Sequence, residues 1–88
     1  MTDLHRDVLR VLDRAAVPYS VQRLDRTLIT APHVFGQREG WDPGIVGGEL
    51  WPTLGELVRD GLVSDERGYV ITDAGRQALA VADAAAMA

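Results

Sequence analysis

No cysteine occurs in this chain of 88 residues, so disulfide staples, thiol nucleophiles and thiolate zinc sites are all excluded. Lysine is missing as well: all nine basic residues are arginine. Phosphate contacts would use such a set, and the high Arg and Ala usage of a GC-rich genome would also produce it. No apolar run approaches the roughly 20 residues that a membrane-spanning helix requires. The first residues, Met1-Thr2-Asp3-Leu4-His5, lack a basic region followed by an apolar stretch, so the expectation is a cytoplasmic protein with no membrane partner. Internal repeats are absent, and the only biased segment is the alanine-rich end. A chain this short supports one domain with a single modest core.

Residues suited to catalysis or metal binding are equally sparse. His5 and His33 are the only histidines, and neither has a His or carboxylate at a metal-ligand spacing on a recognisable helix. Gly44-Ile45-Val46-Gly47-Gly48 lacks the Gly-Lys-Ser/Thr ending of a phosphate loop. Glu49, Glu56 and Asp60 fall at helical spacings that usually mark a wet face. The expectation is a protein that is not an enzyme and needs no cofactor or metal.

Charge is unevenly placed. The formal net charge is −4. Residues 1–40 hold six Arg against five acids, whereas residues 41–88 hold three Arg against eight. Duplex binders draw affinity mainly from neutralising phosphates, so an acidic C-terminal half works against tight nonspecific binding there.

What is present is a run of periodic segments. Leu4, Val8, Val11, Leu12 and Ala15 recur at helical spacing and predict a helix over 3–15, with Thr2 as N-cap and Asp3 in the first turn. Arg6, Arg10 and Arg14 lie four apart on the other side, interleaved with Asp7 and Asp13, as a solvated ion-pair face or a phosphate-binding stripe. Val17-Pro18-Tyr19 ends that element and Ser20 can cap a second helix over 21–29, burying Val21, Leu24 and Leu28. Ala31-Pro32 breaks it. His33-Val34-Phe35 reads as a short turn packing Phe35 on the core, and Trp41-Asp42-Pro43-Gly44 as turn chemistry. Asp42 there can cap and Pro43 take the first helical position, but with Gly44, Gly47 and Gly48 so close together, residues 30–47 read as a loop or tight helix entry rather than a long helix.

The segment from Gly48 to Thr72 reads as one device. Leu50, Leu54, Leu57 and Val58 form the apolar stripe of a third helix over 48–60, with Gly61 placed for a left-handed C-cap. Leu62-Val63-Ser64 and Tyr69-Val70-Ile71-Thr72 flank the polar turn Asp65-Glu66-Arg67-Gly68, which predicts a hairpin over 62–72. Thr72 can cap a last helix over 73–85. The expected fold is mainly α with a small β-hairpin: a single winged helix-turn-helix domain of three helices, a two-stranded wing and a C-terminal helix.

Gly48-Glu49-Leu50-Trp51-Pro52-Thr53-Leu54, then Leu57, then Asp60-Gly61-Leu62-Val63, resembles the recognition-helix segment of PadR-type transcriptional regulators. Tyr69-Val70-Ile71-Thr72-Asp73-Ala74-Gly75-Arg76 is similar to that family's second wing strand and last-helix entry. The tight match covers about a third of the chain, and a looser one runs from Leu4 to Leu79. The resemblance implies a small transcriptional regulator that binds double-stranded DNA as a homodimer. Helix 48–60 would enter the major groove, and Arg67 at the wing tip would touch the adjacent backbone. Glu49, Trp51, Thr53, Glu56, Arg59, Arg67 and Tyr69 are the candidate contacts to DNA or a partner, with Arg6, Arg10, Arg23 and Arg26 as flanking phosphate contacts.

Two departures from the family pattern bear on this. Trp51 replaces a Tyr and retains an N–H donor. Glu49 replaces a Ser or Thr, and a carboxylate there repels DNA. Glu56 could still accept from a cytosine amino group. Trp41 and Trp51 are each assigned equally to core packing or to partner contact. The alternative function is a protein-interaction module, phage or mobile-element encoded, gripping a host protein through its acidic third helix. Val81, Ala85 and Ala88 form an outward stripe on the last helix, suited to a weak homodimer, while Leu79 faces the domain.

Overall fold

Thr2 opens the first helix for a local reason. In the computed structural model, which describes residues 1–31 and 39–87, the Thr2 hydroxyl accepts from the His5 amide. The Thr2 amide donates back to the His5 ring, so two otherwise orphaned donors are satisfied at once. The helix, α1, runs Asp3–Arg14. Leu4, Val8, Val11 and Leu12 are buried as their spacing predicts, and so are Leu9 and Asp7. Burial exceeds one stripe because α1 is the central element. Packed against it are α2 (Val21–Thr30), α3 (Pro43–Arg59) and α4 (Asp73–Met87), together with strand β2 (Val70–Ile71).

The protein is mainly helical, with one two-stranded antiparallel sheet among the described residues. Strand β1 (Val63–Ser64) pairs with β2 in the register Val63 with Ile71 and Ser64 with Val70. The hairpin has a third member. Tyr19 bridges Tyr69 in antiparallel fashion, its amide donating to the Tyr69 carbonyl at 3.1 Å and its carbonyl accepting from the Tyr69 amide at 2.7 Å. The link between α1 and α2 is therefore pinned to the sheet, where the sequence suggested only a helix boundary.

The largest correction concerns α3. It begins at Pro43, so the glycine-rich stretch expected to be loop is its first turns. Asp42 caps it, the side chain accepting from the Gly44 amide at 2.7 Å, and Pro43 fits the first helical position, where no N–H is needed. Val46 is fully buried and extends the Leu50–Leu54–Leu57 stripe by one turn. That packing outweighs glycine's poor helix propensity of about 1 kcal/mol per residue. Pro52 lies inside α3, where its ring crowds the carbonyl four residues earlier. That residue is Gly48, exposed and without a Cβ, so the carbonyl can tilt toward water. Phe35 and His33 fall outside the described residues.

The remaining boundaries follow their caps. Ser20 accepts from the Arg23 amide at 3.1 Å. Gly61 takes φ +75° after α3, allowing the Leu62 amide to reach the Leu57 carbonyl at 2.9 Å. Thr72 accepts from the Gly75 amide at 3.0 Å and donates its hydroxyl to the Gly61 carbonyl at 2.7 Å. One side chain thus caps α4 and fixes the end of α3. A Cβ on Gly75 would stand 2.1 Å from the Leu62 carbonyl oxygen, so nothing larger than glycine permits this approach. No helix among the described residues is long and apolar enough to cross a membrane.

Candidate functional site

The solvent face of α3 was expected to carry the contacts, and its side chains divide. Trp51 is 60% exposed and Ile45 43% exposed. Gly48, Pro52 and Gly55 lie between them and are also exposed. Around this apolar strip sit Glu49, Glu56, Asp60 and Arg59. Thr53 is only 5% exposed and is corrected from contact residue to core. Its position three residues after Leu50 and four before Leu57 places it on the buried stripe.

Two of the expected polar contacts on α3 have partners of their own. The His5 ring accepts from the Thr2 amide through Nδ1 at 3.2 Å, leaving Nε2–H to donate to Glu56 Oε2 at 3.1 Å. Glu56 is thereby held against α1. Arg59 leans on Asp60 at 3.5 Å, an exposed pair worth little. On this face Glu49 and Trp51 present a carboxylate and an indole outward with no side-chain partner among the described residues.

Arg6 and Arg10 are also corrected. Arg6 pairs with Asp3 at 2.7 Å, its side chain mostly covered, and its Nε is buried without a partner. Arg10 bridges Asp7 at 3.1 Å and Asp83 of α4. Asp7 is 1% exposed and also accepts from Trp41 Nε1 at 2.8 Å. Burial pushes the Asp7 carboxyl above its ordinary value of 3.8, opposed by the Trp41 hydrogen bond and the Arg10 charge. This cluster ties α1, the approach to α3 and α4 together, and it assigns Trp41 to packing. Arg10 thus joins α1 to α4, and Arg6 and Arg10 both enter carboxylate pairs that a phosphate contact would have to replace.

The cations with no carboxylate partner among the described residues are Arg14, Arg23, Arg26 and Arg67. Arg23 lies over the Tyr19 ring, 4.3 Å from its centroid, a cation–π contact. Arg67 sits at the hairpin tip, next to Gly68. A Cβ on Gly68, whose φ is +97°, would stand 3.0 Å from Pro18 Cβ and 3.2 Å from the Tyr19 carbonyl oxygen. The tip is folded down on the Pro18-Tyr19 corner, so the turn that carries Arg67 and the Arg23–Tyr19 contact belong to one corner. Arg26 follows Arg23 on the same helix, and Tyr69, half-buried, supplies backbone to the Tyr19 bridge. Sequence reading missed the importance of Tyr19. The available signal was an aromatic wedged between a proline and a helix cap, a position that favours extended backbone.

Among the described residues, no group of three or more His, Asp or Glu side chains is placed to hold a metal ion. Comparison with known protein families, curated proteins and solved structures gives no match for this chain.

Proposed function

We propose that this chain is a small winged-helix DNA-binding regulator, and that it meets the duplex through its hairpin tip and the start of α2. Support for the fold comes from the order helix, extended Tyr19, helix, helix, hairpin, helix, with β2 lying between β1 and Tyr19. The observation that carries the function is the corner itself: Arg23 over the Tyr19 ring, and Arg67 on the hairpin tip that packs on the Pro18-Tyr19 backbone, both free of carboxylate partners among the described residues. By resemblance to PadR regulators α3 would read the major groove. Its glycines, buried Thr53, committed Glu56 and outward Glu49 make it a poor reader, and the duplex contact moves to the hairpin and α2. Such contacts position a protein on DNA without specifying sequence.

The test is a salt series with random-sequence duplex, read by fluorescence anisotropy. Each phosphate neutralised adds about 0.9 to the slope of log affinity against log salt. Arg67→Ala and Arg23→Ala should each flatten the slope by about one and weaken binding equally on all sequences. Absence of duplex binding by the wild type near 50 mM salt, a concentration at which even about six phosphate contacts would register, would end the proposal.

A homodimer through α4 belongs to the same proposal. Val81 is 70% exposed and sits with Met1, Ala74, Ala78 and Ala85 around a shallow apolar hollow of about 460 Å³. Leu79, as expected, faces the core. Val81→Asp should abolish self-association in sedimentation without lowering the melting temperature; a wild type that sediments as monomer at every concentration removes the dimer. The rival function, a protein-interaction module, is favoured by one observation, the exposed indole on α3. The two are compatible, since Asp25 faces the α3 side of α2 while Arg23 lies over Tyr19.

A further inference from the structure

Between α2 and α3 runs a groove of about 260 Å³, smaller than the roughly 300–1,000 Å³ of small-molecule sites. Its floor is Val46 and Leu50, both core residues, and its walls include Val21 and the exposed Trp51. Asp25 stands at its edge, and no arginine lines it. Gly47 forms part of the α3 side, and a Cβ there would meet nothing within 4 Å. The helix backbone is open to close approach at that point.

We propose that this groove docks an amphipathic helix of a partner protein, inserting one apolar side chain beside Trp51 and setting a Lys or Arg against Asp25. Helix-in-groove recognition needs an apolar slot for an anchor and a charged rim for orientation, and both are present here. The size suits one side chain. An indole left largely exposed beside such a slot is the residue type that dominates binding energy when a partner covers it. Duplex DNA does not fit, because its phosphates would meet Asp25 with no cation in the lining. A second copy of this chain does not fit either. Its exposed apolar helix face, on α4, is flanked by Asp73 and Asp83, and its Arg76 is already paired with Asp13 and Asp73. The proposal stands apart from the duplex contact at the Tyr19 corner and uses none of the same side chains.

The probe is a synthetic alanine-based helical peptide carrying Leu at positions i, i+4 and i+7, with Lys beside them. A Glu-for-Lys version and a scrambled version with the Leu residues dispersed serve as comparisons. Titration followed by tryptophan emission and by amide chemical shifts should give saturable binding below about 1 mM, with shifts confined to α2 and α3 around the groove. The Glu peptide should bind at least about tenfold more weakly, since like charges face each other. Trp51→Ala should abolish the emission change. Gly47→Gln, which the open space accepts without disturbing the fold, should block binding by filling the slot. A melting temperature unchanged in both variants shows that they remain folded. Equal affinity for the Lys and Glu peptides overturns the proposal, as does undiminished binding by folded Gly47→Gln. The same shifts produced by duplex DNA, or by raising the protein concentration alone, would assign the groove to nucleic acid or to self-association instead.

Discussion

Asp7→Ala is expected to destabilise the protein by about 3 kcal/mol, more than its side-chain size suggests. The substitution removes the acceptor of the Trp41 indole N–H and one of the two carboxylates that hold Arg10. An orphaned buried donor costs roughly 1–3 kcal/mol, and a hydrogen bond to a charged group contributes about 1.5–3. For a domain of this size the melting temperature should fall by roughly 12–24 °C. A fall of only a degree or two would mean that the cluster is decoration.

Acid should not dissolve this particular tie. Burial raises the folded-state pKa of Asp7 above its unfolded value, so the native state holds the proton more strongly. The stability linked to Asp7 is complete below the unfolded carboxyl pKa and is lost as pH rises through the raised folded value. Melts of wild type and Asp7→Asn from about pH 3 to pH 7 should therefore show the wild type's relative advantage greatest at the acid end and shrinking upward. A margin that grows with pH contradicts the assigned direction.

Leu57→Ala is the second large effect, at about 2–5 kcal/mol. Leu57 is 1% exposed, and its carbonyl accepts the Leu62 amide where α3 turns into the hairpin. A cavity at this site lies under both the helix end and β1. Chemical denaturation should show a lower midpoint with an unchanged slope, the pattern of lost stability without a changed denatured state. A midpoint within error of wild type would show that α3 is not anchored by this stripe.

Local chemistry made much of the fold readable. Thr2, Ser20 and Thr72 cap their helices as their positions suggest, and Gly61 takes the left-handed conformation that the Leu ladder before it demands. These features depend on neighbours within four residues. The start of α3 was not readable in the same way. Gly44, Gly47 and Gly48 disfavour a helix locally, and burial of Val46 under α2 decides the matter. Asp7 misled for a related reason. On a helix covered from several sides an acid among arginines need not face water, and its partner Trp41 lies far along the chain.

The candidate site was legible in parts. Arg67 is exposed at a turn tip, where turn chemistry placed it, and Trp51, which the sequence assigned equally to core or contact, is exposed on α3. Thr53 failed on phase, lying just inside the buried stripe. For Arg6 and Arg10 the ion-pair alternative was legible from the three-residue spacing to Asp3 and Asp7, whereas the second Arg10 partner, Asp83, is visible only once α1 and α4 are packed. The Tyr19 corner needed the Tyr69 pairing, which no local pattern encodes.

The side-by-side packing of α1 and α4, closed by an ion pair whose residues are 73 positions apart, dictates when this protein can fold. During synthesis α1 emerges first, with apolar sides intended for α2, α3, β2 and α4. Its neighbours arrive in sequence, and the last arrives only when Asp83 has left the ribosome. Until then Leu9, Val8 and Asp7 have no finished surroundings, and the early helix is an amphipathic segment in search of a surface. Contacts so distant along the chain slow folding by delaying the return on loop closure. The chain is thus bound to fold as one late, cooperative event, and a stalled or clipped product would display its most amphipathic helix to whatever lies nearby.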